Sequence, residues 1–325
     1  MRQAIISGTG SYVPDNVMTN EDLAKLVDTS DEWIESRTGI KERRIVTKEL
    51  TSDLAYEAGK RAMISANLQA KEIDLIICAT ITPDSFMPSV ACIVQDKLGA
   101  VNAVAFDLTA ACSGFVYGIV TASQYIQTGM YQNVLVIGAE TISKILDWED
   151  RSTCVLFGDG AGAVVLTVSE KKKGIMVANL LSDGSKQSQL VCPAVPLSNP
   201  YNKSVESFRP KITMQGQEVF KFAIRSITEH IKTLLQKADL NIEDIKYIIP
   251  HQANQRIIEH AANLCKIPKE KFYTNLMNYG NTSAASIGIA LDELAKGNKL
   301  EHGDKLILVA FGGGMTSGAV LLEWD

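Results

Sequence analysis

Residues 155–166, VLFGDGAGAVVL, consist of an apolar run, a glycine-rich turn and a second apolar run rich in valine. This order predicts a strand, a tight turn and a returning strand. Residues 308–322, LVAFGGGMTSGAVLL, show the same order in the second half of the chain. A pattern that occurs twice indicates that the chain contains two copies of one folding unit.

Two further pairs of segments support this repeat. Residues 72–80 (EIDLIICAT) resemble residues 244–252 (DIKYIIPHQ), each with an acidic start, an apolar strand and a polar tip. Residues 107–115 (DLTAACSGF) resemble residues 278–286 (NYGNTSAAS), each with a strand end, small residues and then a helix. Three pairs of similar segments in the same order favour a duplicated domain with pseudo-twofold symmetry over chance similarity of hydrophobic strands.

The boundary between the two halves is predicted from a loss of periodicity. Residues 171–211 contain KKKG, SDGSKQS and PLSNPYNKS, which interrupt any helical or strand pattern. We therefore predict a first half of residues 1–172, a second half of residues 173–325, and a long surface loop that follows the boundary.

The rest of the chain indicates a layered α/β protein with buried strands. Short apolar runs rich in Val and Ile alternate with helical patterns, which is typical of sheets covered by helices. Residues 218–237 carry apolar side chains three or four positions apart and predict an amphipathic helix. Strands are predicted at residues 74–80, 103–108, 133–138, 164–167, 247–250, 306–310 and 319–324.

Composition excludes several classes of protein. The 325 residues are 46% hydrophobic, and 32 Lys and Arg against 37 Asp and Glu give a net charge of −5, which argues against nucleic-acid binding. No signal-like start or uninterrupted apolar run of about 18 residues is found, so we expect a cytoplasmic protein that does not enter the membrane. The six cysteines form no C-x-x-C pair, so neither a disulfide framework nor a metal site is predicted.

Two glycine-rich segments do not fit nucleotide-binding motifs. Gly8-Thr9-Gly10 lacks the third glycine of a dinucleotide fingerprint, because position 13 is Val, and predicts a turn. The glycines between residues 158 and 162 lack the Lys and the Ser or Thr of a phosphate loop.

Three residues at the ends of repeated elements predict nucleophilic chemistry. Cys112 follows the strand at 103–108 and begins a helical run, where a helix N-terminus lowers a thiol pKa and raises the thiolate fraction. His251 follows Pro250 at a strand tip and is expected to face the crevice beyond the strand ends. Asn281 lies in the turn that corresponds to the Cys112 turn, so the duplication would bring the two turns together.

A glycine loop at residues 312–314 is predicted to form an oxyanion hole. Gly312-Gly313-Gly314 offers bare backbone amides to a developing negative charge. Singly, Cys112 could fill the core, His251 could be a satisfied cap, Asn281 could form a turn and the glycines a tight hairpin. Their joint occurrence at matching ends of a repeated fold favours an active site.

With these residues the chain resembles the β-ketoacyl-acyl carrier protein synthase III family, which has the thiolase fold. The resemblance implies duplicated α/β domains in α-β-α-β-α layers with pseudo-twofold symmetry. A His with an Asn is typical of the decarboxylating initiation branch, unlike two His or a His with a second Cys. The matching segments are DTSDEWIESRTGIKERRI (28–45), DLTAACSGF (107–115), DWEDRSTCVLFGDGAGA (147–163), MQGQEVFKFA (214–223), IPHQANQRI (249–257), YGNTSAAS (279–286) and AFGGGMTSGA (310–319).

The resemblance implies the initiating condensation of type II fatty acid synthesis. An acyl-CoA, with acetyl-CoA as the first expectation, would acylate Cys112, and malonyl-acyl carrier protein would then condense with loss of carbon dioxide. His251 and Asn281 would stabilise the enolate, and the backbone N–H groups of Cys112 and Gly313 would bind the oxyanion. No cofactor is implied. A secondary-metabolism condensing enzyme or acyltransferase is the alternative, whereas the intact Cys, His and Asn set argues against a scaffold protein.

The resemblance also implies where CoA binds. Trp33 and Arg151 would sandwich the adenine, and a local basic cluster of Arg37, Lys41, Arg43 and Arg44 suits the phosphates. The remaining implied contacts are Thr29 near the nucleotide, Gly216 and Phe220 along the pantetheine tunnel, and Asn254 at its inner part.

Partner surfaces follow from the same resemblance. A homodimer is expected across the strand at 103–108, which is apolar on both faces, with Met87 reaching across to close the partner's acyl pocket. Phe86 is the alternative gate, because a shift of one residue in this loop is not excluded. The acidic carrier protein would dock on basic residues near the tunnel mouth, for which the candidates are Lys221, Arg225 and Arg256.

Overall fold

The computed structural model describes residues 2–170, 174–203 and 208–325. The predicted division between residues 172 and 173 falls outside the described residues. The seven strands predicted between residues 74 and 324 in the list above are present, the strand predicted at 155–157 is not, and the structure has others that the sequence pattern did not indicate. In chain order the strands are β1 (Gln3–Tyr12), β2 (Val17–Thr19), β3 (Glu42–Arg44), β4 (Leu75–Ala79), β5 (Val104–Leu108), β6 (Asn133–Glu140), β7 (Gly160–Ser169), β8 (Ile175–Ser182), β9 (Leu190–Val191), β10 (Ser198–Asn199), β11 (Asn202–Lys203), β12 (Thr213–Met214), β13 (Ile245–Pro250), β14 (Lys305–Gly312) and β15 (Thr316–Glu323).

Two large sheets repeat one arrangement of strands. The first has the order β1-β7-β6-β4-β5 and the second the order β13-β14-β15-β8. In both sheets a parallel pair (β4 with β6, β13 with β14) is followed by two antiparallel neighbours. At the place where β5 extends the first sheet, the second has only a single parallel bridge between Ile248 and Phe272. The duplication predicted from the three pairs of similar segments is therefore present in the strand topology.

Helices cover both sheets and fill the space between them. Helices α3 and α4 pack on the outer face of the first sheet, α7 and α8 on the outer face of the second, and α5 and α10 lie between the sheets. The α-β-α-β-α layering implied by the resemblance is confirmed. The helices are α1 (Asn20–Leu23), α2 (Asp31–Thr38), α3 (Thr51–Ser65), α4 (Val90–Leu98), α5 (Gly114–Thr128), α6 (Arg151–Cys154), α7 (Gly216–Ala238), α8 (Gln255–Cys265), α9 (Leu276–Tyr279) and α10 (Ser286–Lys296).

The first half departs from the repeat at residues 141–159. The apolar run at 155–157 was expected to form a strand, but this prediction is wrong, because helix α6 and a turn lead into β7 and the antiparallel neighbour of β7 is β6. The apolar side chains of this run are buried, Val155 and Phe157 among them, which explains why its composition resembles a strand. The segment inserted between β6 and β7 also carries Arg151.

The predicted surface loop at 171–211 is corrected in part. Residues Ile175–Ser182 form β8, which pairs antiparallel with β15 at the edge of the second sheet. An edge strand is covered on fewer sides than a central one, and β8 is only partly buried, so its sequence shows no clean alternation.

The turn predicted at Gly8-Thr9-Gly10 is also wrong, because these residues lie inside β1. Helix α3 packs so closely on the strand that a Cβ atom at Gly10 would lie 2.3 Å from the carbonyl oxygen of Ala58. The glycines therefore allow a helix to approach a strand, and the strand continues through a bulge between Ile6 and Gly8. Within the described part of the chain, no helix is long and apolar enough to cross a membrane.

Candidate active site

The turn that carries Cys112 connects β5 to α5. Residues Ala111–Ser113 form a short 3₁₀ turn, and Ala111 has a φ of 46°, in the left-handed region. The Ser113 hydroxyl donates to the carbonyl oxygen of Thr316 (3.1 Å), and the Thr316 hydroxyl donates to the carbonyl oxygen of Ala110 (3.1 Å). The nucleophile turn of the first half is therefore anchored to the second half.

The turn that carries Asn281 has the same backbone design. Residues Ser283–Ala285 form a 3₁₀ turn before α10, and Ser283 has a φ of 50°. The strand end expected before this turn is wrong, because helix α9 precedes it. The backbone N–H of Asn281 donates to the carbonyl oxygen of Leu156 (2.8 Å), and the Asn281 carbonyl oxygen accepts from the Gly158 N–H (3.1 Å). This turn of the second half is anchored to the first half, so each turn is held by the opposite half.

A single cavity joins the two turns with the tip of β13. It has a volume of about 170 Å³ and is mostly apolar. The side chains of Cys112, His251 and Asn281 all line it, together with three residues predicted for the pantetheine tunnel, Gly216, Phe220 and Asn254. The other lining residues are Leu156, Phe157, Leu190, Met214, Val219, Ala253, Ile257, Phe311, Gly312 and Met315.

Hydrogen bonds fix which nitrogen of His251 faces the cavity. Nδ1 lies 2.7 Å from the hydroxyl oxygen of Ser286, and that oxygen also accepts from the Gln252 backbone N–H (3.4 Å). We assign the Ser286 proton to the bond with Nδ1, which puts the imidazole proton on Nε2, the nitrogen left for the cavity. Burial lowers the pKa of His251 to about 3. The ring is neutral at physiological pH and offers an N–H donor to the cavity.

Asn281 is oriented as a second donor. Its side-chain oxygen Oδ1 accepts a hydrogen bond from the Ser283 backbone N–H (2.9 Å). The amide group Nδ2 is therefore the end of the side chain left for a ligand in the cavity. Two neutral donors, from His251 and Asn281, meet at one site, which suits the stabilisation of a developing enolate or oxyanion.

The expected low pKa of Cys112 is not found. Burial raises the pKa of this thiol to about 12, and the hydrogen bond of the Ser283 side chain lowers it only in part. The side chain is 9% exposed, so desolvation of the thiolate outweighs the field of the helix N-terminus.

The glycine loop lies against the nucleophile turn. A Cβ atom at Gly312 would lie 2.7 Å from the backbone nitrogen of Cys112, so only glycine lets the end of β14 come this close. The next residue, Gly313, packs beside Ala111 and Leu190. This approach brings the backbone of the glycine loop next to that of Cys112, where two amides are expected to form the oxyanion hole.

Comparison with known proteins identifies the family. The models of 3-oxoacyl-[acyl-carrier-protein (ACP)] synthase III and of its C-terminal region match residues 106–184 and 235–324. The chain is 54% identical over 324 residues to the β-ketoacyl-[acyl-carrier-protein] synthase III of Clostridium acetobutylicum, with 100% of this chain and 99% of the relative covered. The chain belongs to the β-ketoacyl-ACP synthase III family. It is therefore an acyltransferase of the condensing type.

Solved structures of similar proteins agree with this assignment. The 3-oxoacyl-[acyl-carrier-protein] synthase III of Aquifex aeolicus superposes with a TM-score of 0.92 at 50% identity, covering 99% of this chain and 100% of that one. The priming β-ketosynthase of the R1128 polyketide pathway has the same TM-score of 0.92 at 32% identity, covering 100% and 97%.

In this synthase III chain the expected adenine site is closed. The Arg151 guanidinium lies 4.8 Å from the centre of the Trp33 ring, and Arg37 lies 6.0 Å from it. Arg151 also donates to the carbonyl oxygen of Asp28 (2.6 Å). A base would enter between Trp33 and Arg151 only if the guanidinium moved off the ring. Nearby, the buried Thr29 hydroxyl oxygen has no hydrogen-bond partner among the described residues, which fits a contact with a ligand.

The predicted basic cluster for the CoA phosphates is corrected at Arg43. Arg43 is fully buried, and its guanidinium donates to the Asn20 side chain and the Val155 carbonyl oxygen (2.8 Å each). Lys41 pairs with Glu35 (3.2 Å), and Arg44 lies 3.6 Å from Glu42. Arg43 is therefore a buried structural residue, and Arg37 is the member of the cluster that contacts Trp33.

Asn254 has a structural role in addition to its place on the cavity. Its Oδ1 caps helix α8 by accepting from the Arg256 N–H (2.8 Å), and its Nδ2 donates to the Arg37 carbonyl oxygen (3.1 Å). Phe220 packs edge-to-face on His260 at 5.4 Å. The inner part of the predicted tunnel is thus held in place by contacts between α7, α8 and α2.

The three predicted docking residues differ in how they are paired. Lys221 binds Glu218 at 2.7 Å and Arg225 lies 3.4 Å from Glu229, so an acidic neighbour offsets each charge. Arg256 takes part in no ion pair within the described residues, and its helix begins at the cavity.

Sequence reasoning missed a buried acid beside the site. Glu140, the last residue of β6, is 0% exposed and accepts a hydrogen bond from the Ser283 hydroxyl (3.1 Å). Its sequence signal was a carboxylate at the end of the apolar run NVLVIGA, close to a strand end as His251 is. Among the described residues, no cluster of three or more His, Cys, Asp or Glu could hold a metal.

Proposed function

We propose that the chain catalyses the priming condensation of fatty acid synthesis, from an acyl-CoA and malonyl-acyl carrier protein. The observation that carries this proposal is the meeting of Cys112, His251 and Asn281 on one cavity, with each turn anchored by the opposite half. No cofactor or metal takes part in the proposed chemistry. The cytoplasmic location stays a prediction from the sequence.

In the first half-reaction Cys112 attacks the thioester carbon of the acyl-CoA. The carbonyl oxygen becomes an oxyanion near the backbone N–H groups of Cys112 and Gly313, where the glycine loop approaches the nucleophile turn. Collapse of this intermediate breaks the bond to the CoA sulfur and leaves the acyl group on Cys112. We expect Arg151 to leave the Trp33 ring as the adenine enters, with Arg37 and Thr29 near the nucleotide and Gly216, Phe220 and Asn254 along the pantetheine.

In the second half-reaction malonyl-acyl carrier protein replaces CoA. His251 and Asn281 each donate a hydrogen bond to the malonyl thioester oxygen, because Nε2–H and Nδ2–H are the groups left free for the cavity. Loss of carbon dioxide then gives an enolate whose charge these donors stabilise. The enolate carbon attacks the acyl group on Cys112 and releases β-ketoacyl-acyl carrier protein.

We also propose that two copies of the chain form a dimer through β5. This strand ends the first sheet, and Val104 is half exposed in the single chain. Phe86 and Met87 are 80% and 82% exposed, which is unusual for large apolar side chains in a single chain. Both observations support an edge-to-edge dimer in which Met87, or alternatively Phe86, closes the acyl pocket of the partner.

Carrier-protein docking is assigned mainly to Arg256. Its charge is not offset by an ion pair in the described part of the chain, whereas the charges of Lys221 and Arg225 are offset by Glu218 and Glu229. We therefore expect Arg256 to contribute more to the binding of an acidic carrier protein than the other two residues.

Two measurements test the proposed function. Incubation with acetyl-CoA followed by mass spectrometry should show an acetyl group on the Cys112 peptide. The acetylated enzyme should then release carbon dioxide from malonyl-acyl carrier protein. A chain that takes up the acyl group without releasing carbon dioxide would be an acyltransferase only, and a chain that takes up none would contradict the proposal.

A related role in secondary metabolism is the second candidate. It is favoured by the similarity to the R1128 priming β-ketosynthase and by the exposed, flexible Met87 at the expected gate. A panel of straight and branched acyl-CoA primers separates the two functions. A preference for acetyl-CoA supports fatty acid synthesis, and a strong preference for a longer primer supports the alternative.

A further inference from the structure

One hydroxyl joins the nucleophile turn to the glycine loop. The Oγ1 atom of Thr316, at the start of β15, lies 3.1 Å from the carbonyl oxygen of Ala110 and 3.1 Å from the carbonyl oxygen of Gly313. It also lies 3.1 Å from the hydroxyl oxygen of Ser113. A hydroxyl has a single hydrogen, so these three acceptors share it in a multi-centre hydrogen bond.

The two carbonyl groups close the two loops that approach each other. The Ala110 carbonyl oxygen also accepts from the Ser113 backbone N–H (3.1 Å), and this bond spans Cys112. The Gly313 carbonyl oxygen closes the loop from Gly313 to Thr316 through the threonine hydroxyl itself. Thr316 Oγ1 therefore lies where the closing bonds of both loops meet.

Ser113 completes the contact from the other side. Its buried hydroxyl donates to the carbonyl oxygen of Thr316 (3.1 Å), so each residue of the pair binds the other. Between Ala110 and Ser113 lies Ala111, whose φ of 46° is in the left-handed region. A non-glycine residue keeps such a backbone only where surrounding contacts hold it. The hydroxyl of Thr316 supplies contacts of this kind on both sides of Ala111.

The backbone amides beside this contact are the expected oxyanion donors. In the part of the chain that the structure describes, neither the Cys112 N–H nor the Gly313 N–H donates to another residue, so both amides are left for a ligand. The two loops lie so close that a Cβ atom at Gly312 would be 3.2 Å from the Cβ atom of Cys112. Donors aimed at a developing charge must be fixed in advance, because a displacement of about 1 Å costs about 100-fold in rate.

We propose that Thr316 is a positioning residue of the oxyanion hole, which fixes the Cys112 amide relative to the Gly313 amide during enzyme acylation. Thr316 does not line the cavity, so it acts through the two loops and not on the acyl-CoA itself. Its hydroxyl makes the bonds to both loops, whereas its γ-methyl group packs beside Gly314, where a Cβ atom would lie 3.0 Å away. This inference rests on the proposed function.

The enolate donors are held by other bonds. Nδ1 of His251 is bound at the Ser286 hydroxyl. The side-chain oxygen of Asn281 accepts from the Ser283 backbone N–H. Neither donor depends on Thr316, so a looser hydroxyl contact should slow acylation and leave the decarboxylation of malonyl-acyl carrier protein largely intact.

Two substitutions separate the hydroxyl of Thr316 from the shape of its side chain. Thr316→Val keeps the branched shape and removes the hydroxyl, whereas Thr316→Ser keeps the hydroxyl and removes the methyl group. In single-turnover reactions with acetyl-CoA, Thr316→Val should acylate Cys112 about tenfold more slowly at saturation, because the amides move by less than about 1 Å. The half-saturating concentration of acetyl-CoA should not change. Thr316→Ser should acylate within a few-fold of the unsubstituted rate.

The second half-reaction is measured on enzyme that longer incubation has fully acetylated. Carbon dioxide release from malonyl-acyl carrier protein by Thr316→Val should then stay within a few-fold of the unsubstituted rate. Ser113→Ala removes the donor to the Thr316 carbonyl oxygen and should also slow acylation selectively, so it carries the test if Thr316→Val does not fold. The double variant should lose less than the product of the two single effects, because both loosen one contact.

A threonine on α5 provides the matched control. The Thr121 hydroxyl donates to the Tyr117 carbonyl oxygen within the same helix (2.8 Å). Thr121→Val therefore makes the same chemical change without altering a bond to either loop. Both half-reactions should proceed at the unsubstituted rate in this variant.

Three results would overturn the inference. The first is normal acylation by folded Thr316→Val. The second is equal slowing in Thr316→Val and Thr316→Ser, which would place the effect in the methyl group. The third is equal loss in both half-reactions, which would indicate a general loss of structure. Acetylation of the unsubstituted enzyme keeps the two proposals apart, because its absence refutes the proposed function, whereas normal acetylation with any of these results refutes only the role of Thr316.

Discussion

The Cys112 turn and the Asn281 turn share one backbone conformation but carry residues with different chemical roles. Each is a 3₁₀ turn that opens with a left-handed residue, Ala111 or Ser283, and leads into a central helix. The first turn carries the nucleophile. The second carries Asn281, the proposed hydrogen-bond donor, and the Ser283 hydroxyl that donates to Glu140.

This difference shows how a repeated fold can divide a reaction between its halves. The duplicated backbone supplies two matching turns, and each turn is hydrogen-bonded to the opposite half, which brings both to one cavity. Covalent chemistry needs a group that forms a bond, whereas enolate chemistry needs fixed neutral donors. We therefore assign acylation to the first turn and enolate stabilisation to the second. The substitutions below test that division, from the largest expected effect to the smallest.

The largest effect is expected at the nucleophile. Cys112→Ala should abolish covalent acylation by radiolabelled acetyl-CoA, because this is the one cysteine that lines the cavity in the described part of the chain. Cys92→Ala removes an exposed cysteine and should leave labelling intact. Labelling of the Cys112→Ala protein at the normal level would contradict the assignment of acylation to the first turn.

The second turn should affect only the later half-reaction. Asn281→Ala should keep acylation within a few-fold while condensation falls by about 100-fold or more, the usual effect of losing one oxyanion donor. Single-turnover acylation and carbon dioxide release measure the two steps separately. Equal loss in both steps would show that the turns do not divide the reaction, or that the Asn281 to Ser283 bond holds the whole site.

Charge reversal at Arg256 should separate the two substrates. Arg256→Glu should raise the KM for malonyl-acyl carrier protein by about tenfold, equivalent to about 1.4 kcal/mol, and leave acylation by acyl-CoA nearly unchanged. Lys221→Glu is the comparison, and a smaller effect is expected because Glu218 already offsets that charge. Equal damage to the carrier-protein and acyl-CoA reactions would indicate misfolding and not lost docking.

The smallest effect concerns the primer. Met87→Phe should slow the reaction with longer acyl-CoA primers and leave the reaction with acetyl-CoA unchanged, because a rigid ring cannot move aside as an unbranched side chain can. Each excluded methylene corresponds to about 0.8 kcal/mol, or about fourfold in relative rate. Phe86→Met is the paired variant. If the profile responds at position 86 and not at 87, the gate is Phe86, and if it responds at neither, the gate lies elsewhere.

Local sequence patterns were sufficient for most of the fold. The strands at β4, β6, β13 and β14 are buried apolar runs whose length and flanking residues identify them without neighbours. The errors occurred where another element determines the structure. The run at 155–157 is apolar because it is buried in an inserted segment, and β8 is a strand because β15 lies beside it.

The sequence by itself determined the duplication and pointed to Cys112, His251 and Asn281 as site candidates. Cys112 and His251 follow strand ends that can be recognised locally, and Asn281 lies in a turn that resembles the Cys112 turn. Only the tertiary structure decided their states. Burial keeps the Cys112 thiol protonated and His251 neutral, although a helix N-terminus and an ordinary imidazole would predict otherwise. The physical reason is that desolvation and hydrogen bonding depend on groups far apart in the chain, such as Glu140 behind Ser283, and no local pattern records which distant groups meet.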